Sequence, residues 1–255
     1  MRQVWRLLRH GARSAYENMA IDEAVLRCIT KGSSPCTLRF YRWRPSAVSI
    51  GYFQGIQQEV DLAECAREGV DVIRRVTGGG AVYHDYDGEI TYSLTMPDTY
   101  PGMPRNVLAS YDILCAGLVQ GLNALGMAAE FKPINDIIVK GRKISGNAQT
   151  RRFHGILQHG TLLCQVDPHL MFRLLKVPDE KIRDKLIAGV EERVTSIKRE
   201  MGSVDRERVT EAMIEGFAQT LDIELVPGEL SEEELALADQ VRTERYESHD
   251  WTYKR

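Results

Sequence analysis

Three consecutive glycines constrain this chain more than any other feature. Gly78-Gly79-Gly80 lies inside Arg74-Arg75-Val76-Thr77-Gly78-Gly79-Gly80-Ala81-Val82-Tyr83-His84-Asp85, and Asp71-Val72-Ile73 leads in as a short strand. Glycine accepts backbone conformations closed to other residues and lets N–H groups approach a ligand closely. Successive N–H groups in such a turn form an anion-holding nest. Arginine adds a planar, permanently charged fork suited to phosphate or carboxylate. The run therefore predicts a pocket for an anionic ligand, with a plain glycine-rich hairpin as the alternative. It fits neither the phosphate-loop pattern nor the dinucleotide fingerprint.

Two further runs stand downstream. One is Asn135-Asp136-Ile137-Ile138-Val139-Lys140-Gly141-Arg142-Lys143-Ile144-Ser145-Gly146-Asn147-Ala148-Gln149; the other is His159-Gly160-Thr161-Leu162-Leu163. In order and spacing the three runs resemble the lipoate–protein ligases, and the resemblance extends from Trp5 to Trp251. It implies an α+β fold of the biotin/lipoate ligase type, a mixed and mainly antiparallel sheet flanked by helices. It also implies ATP-dependent activation of lipoate to lipoyl-AMP, then lipoyl transfer to a lysine of a carrier protein or domain (an H protein or a 2-oxoacid dehydrogenase E2).

The same resemblance assigns residues. Lys143 would contact both the acyl carboxylate and the α-phosphate. A compact ammonium there would offset charge that develops during activation and transfer. Arg75 would contact the nucleotide. Gly80, Ala81, Val82 and Tyr83 would line the ligand, with Gly78 and Gly79 shaping the turn, and His84 would lie beside the acyl group. Asn135 and Asp136 match an Asn-Asp pair whose aspartate would hold Mg2+ near the phosphates; that ion takes one or two carboxylates plus phosphate oxygens. Ser145 and Gly146 would let the lysine loop close. Lys140 and Arg142 read as solvated hairpin residues, and His159-Gly160 as pocket wall. Phe40-Tyr41 and Ile50-Gly51-Tyr52-Phe53 are candidates for holding an eight-carbon tail, although ordinary core is the commoner role for such residues.

A cysteine-dependent octanoyltransferase of the same fold is the competing branch. It moves octanoyl from acyl carrier protein through a thioester, without ATP. Asn18-Met19-Ala20-Ile21-Asp22-Glu23-Ala24, Gly51-Tyr52-Phe53-Gln54, Gln149-Thr150-Arg151, Leu157-Gln158-His159-Gly160 and Trp251-Thr252-Tyr253-Lys254-Arg255 resemble that branch. The thioester route needs a cysteine nucleophile. In one group of these transferases it precedes the lysine segment, in another the His-Gly. Here those positions are Glu130–Asp136 and Gly155–Gln158, without a cysteine, and Cys164 lies five residues beyond His159. On this ground the ligase is the expected activity and the octanoyltransferase its alternative. A biotin ligase lacks support, since no Gly-Arg-Gly-Arg loop is present. A non-catalytic module would not need Lys143, Arg75 and Asp136 together.

With 255 residues the chain has enough length for one domain, 1–255, with a helical C-terminal segment from about 203 to 255. A net charge of -3 with interspersed signs gives no nucleic-acid footprint. No apolar run nears the roughly 18 residues of a membrane span. Cys28, Cys36, Cys65, Cys115 and Cys164 form no CxxC pair or metal cluster, an unpatterned odd count that fits a reduced cytoplasmic setting. The chain ends near the limit of a ligase catalytic core, which predicts a separate small accessory ligase subunit.

Local signals place the elements. Ser14-Ala15-Tyr16-Glu17 reads as a capping box, followed by Ile21, Val25, Cys28 and Ile29 at helical spacing and a stop at Gly32. Thr37–Trp43 and Ala47–Tyr52 read as strands paired across Arg44-Pro45. A short helix is expected at Ala63–Glu68, and strands at Asp71–Arg75, Gly80–Tyr83 and Ile90–Thr95. Val107–Leu125 is a long helix ended by Gly126. Asp136–Val139 and Lys143–Ser145 form a hairpin across Lys140-Gly141, and Gly155–Val166 follows as strand. His169–Leu175, Asp179–Ala188, Arg206–Leu221 and Ser231–Tyr246 are helical. Strands first and helices later indicate segregated layers rather than alternating βαβ units.

Overall fold

The computed structural model describes residues 2–176 and 183–255. Among them an eight-stranded sheet runs β11-β1-β2-β6-β10-β9-β8-β7, and a three-stranded sheet runs β4-β3-β5. The large sheet comprises β1 (Gln3–Arg13), β2 (Thr37–Trp43), β6 (Glu89–Pro97), β7 (Ala129–Lys132), β8 (Asp136–Val139), β9 (Arg142–Arg152), β10 (Gly155–Leu163) and β11 (Ile223–Pro227). The small one comprises β3 (Ala47–Ile50), β4 (Asp71–Arg74) and β5 (Val82–His84). β1 is parallel to both β11 and β2, and the other pairs of the large sheet are antiparallel. The fold is α+β, with the mixed, mainly antiparallel sheet that the sequence implied.

Helix α1 (Ala15–Lys31) starts at a reciprocal capping box between Ser14 and Glu17 and ends at Gly32, whose φ is 77°. These are the boundaries its capping residues dictate. α4 (Val107–Ala124) is capped by the Asn106 side chain and covers one face of the large sheet. It is long and apolar enough to cross a membrane by length and composition. Here it is a core helix instead: Leu114, Cys115, Leu118 and Leu122 are buried. It packs on α8 (Arg206–Thr220) with glycines at the crossing, where a Cβ on Gly216 would lie 2.2 Å from the Gly117 carbonyl oxygen. Only glycine permits that approach. On the opposite face α1 lies beneath Tyr41, Trp43 and Leu157, and α9 (Glu232–Val241) and a π-helical turn (Arg242–Tyr246) pack outside it.

Several expectations need correction. β2 and β3 do not pair with each other. β2 joins β1 and β6 in the large sheet, whereas β3 joins β4 and β5 in the small one. The turn at Arg44-Pro45 passes the chain from one sheet to the other, so the two runs are consecutive without being neighbours. Ser145 and Gly146 lie in no closing loop; they are interior residues of β9, hydrogen-bonded on both sides to β8 and β10. The expected hairpin turn does form, with Lys140 at φ 50° and Gly141 at φ 75°, the left-handed pair such a turn requires. The helix expected at Asp179–Ala188 falls partly outside the described residues; α6 spans Arg183–Arg193.

Candidate active site

A cavity of about 350 Å³ opens between the two sheets. Gly79, Gly80, Ala81, Val82, Tyr83 and His84 form one side. Asn135, Lys143, Gly146, His159 and Gly160 form the other. The three sequence motifs thus converge on one place, although they come from both sheets. The remaining wall has an apolar stretch, Met19 of α1, Trp43 of β2, Leu163 and Val166 at the end of β10, Met171 and Leu175 from α5 (Pro168–Leu174) and just beyond it, and Val190 and Val194 of α6 and its exit, beside polar Asp85, Glu89, Thr91, Thr161, Gln165 and Asp167. Thr195 N–H donates to the Lys143 carbonyl at 2.8 Å, so this exit is tied to the lysine strand.

The glycine loop is held from within by Arg75. Its Nε donates to Thr77 Oγ1 (3.1 Å), Nη1 to Ser49 O (2.9 Å) and Oγ (3.0 Å), and Nη2 to the carbonyls of Gly78 (2.8 Å) and Gly80 (2.7 Å). Burial lowers its pKa to about 10. A guanidinium has five N–H donors, and the five bonds here all go to the protein's own oxygens. Arg75 is therefore the internal strut of the loop rather than a free ligand contact. Gly78 contributes a carbonyl to that strut and does not line the cavity. Gly51 closes the other flank: a Cβ there would lie 2.0 Å from the Gly79 carbonyl oxygen.

Two histidines flank the strut. His84 Nε2 is 2.8 Å from Ser49 Oγ and its Nδ1 is 2.7 Å from Glu89 Oε1, while the ring stacks on Trp43 with centroids 4.1 Å apart. His159 Nε2 is 2.8 Å from Thr77 Oγ1, and its Nδ1 lies 3.7 Å from Asp22. Burial outweighs the attraction of Asp22 and depresses the His159 pKa. Burial works against ionising Asp22 itself, but Arg39 at 2.7 Å and His159 more than offset this and hold its pKa below the usual carboxylate value. Each histidine joins a buried carboxylate to a hydroxyl that also meets the Arg75 guanidinium.

Lys143 is the cation of the opposite wall. Its Nζ stands 2.7 Å from Asp136 Oδ1. Gly146 makes room for it, since a Cβ there would meet Lys143 Cε and Nζ at 2.9 Å. Asn135 does not reach into the cavity as a ligand group alone. Its amide donates to the Asn147 carbonyl, and Asn147 Nδ2 returns a bond to Asn135 O at 2.9 Å, pinning the entry of β8 to β9. Tyr92 Oη donates to Asn147 Oδ1 at 2.7 Å behind them. Ser145 is buried, its hydroxyl has no hydrogen-bond partner among the described residues, and it does not line the cavity.

Asp136 is a single carboxylate, 2.7 Å from Lys143 Nζ, and among the described residues it belongs to no group of three His, Cys, Asp or Glu side chains. The expected tail-binding residues are elsewhere. Phe40, Tyr41 and Ile50 are core, and Tyr52 and Phe53 lie at the surface against the C-terminal segment. The apolar wall from α5 and α6 takes their place. Its sequence signal was the spacing of Met171 with Leu175 and Val190 with Val194, four apart on one helix face, which reads equally well as core.

An apolar stretch ending at Lys143, roofed by a glycine loop that Arg75 braces, is the kind of site that can hold an apolar tail beside a cation. Residues 14–218 match the model of the lipoyl protein ligase A/B catalytic domain, and the chain belongs to that family. Among relatives, octanoyltransferase LipM of Kyrpidia tusciae is 41% identical over 99% of this chain and 100% of its own length. Those of Brevibacillus brevis and Staphylococcus aureus are 36% and 34% identical over 99% and 100% of this chain and the whole of each relative. Among solved structures, a bi-partite lipoate protein ligase from Thermoplasma acidophilum superposes with a TM-score of 0.90 at 32% identity, covering 98% of this chain and 96% of that one. A lipoate-protein ligase A bound with ATP gives 0.83 at 29% identity, covering 99% of each. The full-length likeness to octanoyltransferases overturns the expected ATP-dependent lipoate ligase activity and favours its alternative. The absent cysteine, which pointed to a ligase, does not outweigh similarity over the whole chain.

Proposed function

We propose that this chain transfers an octanoyl group from the thioester of an acyl carrier protein to a lysine of a lipoyl carrier domain, of the E2 or H-protein type. The observation that carries this reading is the composition of the cavity, an apolar wall leading to Lys143. The octanoyl chain occupies the space bounded by Met171, Leu175, Val190 and Val194. Each buried methylene contributes about 0.8 kcal/mol. Lys143 holds the carbonyl oxygen and stabilises the oxyanion that forms on attack, a charge that exists only in the transition state and its intermediate. Asp136 sets where that ammonium sits. A thioester is a more reactive acyl donor than the amide product, so the transfer runs downhill without nucleotide or metal. The accessory subunit expected alongside an adenylating enzyme has no part in this reading.

The test is direct. Purified chain is incubated with octanoyl–acyl carrier protein and an unmodified lipoyl domain in EDTA, without ATP. Mass spectrometry should find octanoyl on the domain's acceptor lysine. Modification that requires free acid and ATP, and that does not use the thioester donor, overturns the proposal.

A further inference from the structure

We infer that Arg152 and Lys254 hold the phosphodiester of the donor's phosphopantetheine arm, the prosthetic group on which an acyl carrier protein bears its thioester. The inference rests on the octanoyltransferase reading and extends it from the acyl tail to the other end of the donor.

Two unpaired cations share one ring beside the glycine loop. The Arg152 guanidinium carbon lies 4.2 Å from the centroid of the Tyr52 ring. Lys254 Nζ lies 3.3 Å from the same centroid and 3.9 Å from that of Trp251. Among the described residues neither cation forms an ion pair, in a chain whose carboxylates outnumber its lysines and arginines. Other arginines of these segments are paired. At the far end of β9 Arg142 meets Glu200, and before the C-terminal segment Arg242 meets Asp239 and Glu247 and Arg245 meets Glu23. Burial lowers the Lys254 pKa, and Arg74 and Arg152 lower it further against the pull of Tyr52. Like charges kept together without a carboxylate favour an anion between them. A guanidinium fork with an ammonium beside it suits a phosphate.

Holding the C-terminal segment is the task of another residue. The buried Arg74 guanidinium donates to the carbonyls of Gly51, Tyr52 and Gln54 on one side and of Trp251 and Thr252 on the other, and Trp251 Nε1 donates to the Arg74 carbonyl. Turn and tail are thus tied from beneath, and the cations above them are free for a ligand.

Their place follows from the strand. Tyr52 N–H donates to the Thr77 carbonyl at 2.8 Å and Gly51 packs on Gly79, so the platform continues the glycine loop. Arg152 ends β9, which also carries Lys143 and cavity-lining Gly146 and Ala148. Alternation puts Gly146, Ala148 and Arg152 on one face, and the four residues from Ala148 to Arg152 span roughly 13 Å. Val194, part of the apolar stretch, bridges to Lys143 at the opposite end of β9. The order along the strand is apolar stretch, Lys143, glycine loop, Arg152. The donor has its groups in the same order: acyl tail, thioester carbonyl, extended arm, phosphodiester. The acceptor brings a lysine, which this pair of cations repels. The anion is held in the same way whichever atom receives the octanoyl group.

The probes are the S-octyl thioether of pantetheine with and without its phosphate, unreactive mimics of the donor, titrated by calorimetry into the full chain. Wild type should bind the phosphorylated probe about tenfold or more tightly, as a hydrogen bond to a charged group provides. Arg152→Gln and Lys254→Gln should each shrink that ratio and together abolish it, with the melting temperature and the affinity for the unphosphorylated probe unchanged. In turnover with octanoyl–acyl carrier protein the double variant should raise KM and keep kcat. Equal affinity of wild type for the two probes, or an undiminished ratio in the folded double variant, overturns the subsite and leaves the octanoyltransferase reading standing. If wild type takes no octanoyl from the carrier thioester, that reading fails and the donor subsite with it.

Discussion

Lys143 and Asp136 face each other across the β8–β9 hairpin, Nζ to Oδ1 at 2.7 Å, on the side of the sheet where Gly146 leaves the strand bare. The pair is partly open to solvent, so it contributes little to stability. What it supplies is position. The turn at Lys140-Gly141, the Asn135–Asn147 bonds and the β-ladder fix both backbones, and the ion pair fixes the free end of a long side chain.

Lys143→Ala should leave the fold intact and lower the rate of acyl transfer by roughly 10²–10³, the usual loss when one oxyanion donor is removed. Circular dichroism and thermal melting establish the fold, and the loss should appear in kcat more than in KM. A folded variant with wild-type turnover would remove this lysine from the mechanism.

Gly146→Ala separates position from presence. The added Cβ would come to 2.9 Å from Cε and Nζ of Lys143, the far end of a flexible side chain, while Asp136 Oδ1 stays in ordinary contact at 3.9 Å. The strand should tolerate it with little change in melting temperature, while the ammonium must swing away from its place. A displacement of about 1 Å from productive geometry can cost on the order of 10²-fold in rate. Normal kcat in this variant would mean that the lysine's rest position is not its working one.

Local chemistry was legible in the sequence, and long-range pairing was not. Ser14 with Glu17 and Gly32 announced both ends of α1, and Lys140-Gly141 announced the hairpin beneath Lys143, because caps and turns act over a few residues. β1 carries no comparable signal. Its parallel neighbours are β2, reached across helix α1, and β11, from near the other end of the chain, and a parallel pair has no turn to mark it. The site divided in the same way. The glycine run and the lysine segment were visible as motifs. That Arg75 spends its donors on Ser49, Thr77, Gly78 and Gly80 follows from its burial, which no motif reports. The apolar wall was missed because Met171, Leu175, Val190 and Val194 look like any helix stripe packed on a core.

Acid should destabilise the fold from near pH 6.5 downward, in part through half-buried His10 and buried His159. His10 accepts from Arg39 Nε at 2.9 Å, and burial, reinforced by Arg39 and Arg13, pushes its pKa from 6.5 to about 3. His159 is depressed as well, by burial first. Above 6.5 folded and unfolded chains are both neutral at these sites. Below it the unfolded chain takes up protons that the folded chain refuses, so stability rises with pH across the window from about 3 to 6.5 and falls as acid is added. His10→Asn keeps an acceptor for Arg39 and removes the titration. Its melting temperature should depend less on pH in that window, and an unchanged slope would exclude His10 as a contributor.

Chain-length preference should reside in α6. Val190 lines the cavity from an intermediate position on that helix, so a larger side chain can be built there without opening the core. Val190→Phe fills the far part of the apolar space, and the octanoyl chain is the first to lose its place. One methylene in an apolar pocket is worth about 1–3 kcal/mol in discrimination, or 10–200-fold. The ratio of kcat/KM for octanoyl over hexanoyl donors should therefore fall by about tenfold or more, with hexanoyl transfer nearly retained. Equal loss for both chain lengths would place the acyl tail elsewhere. Because Lys143 is untouched, the maximal rate with the shorter donor reports whether the chemistry survives, and the ratio reports only the wall.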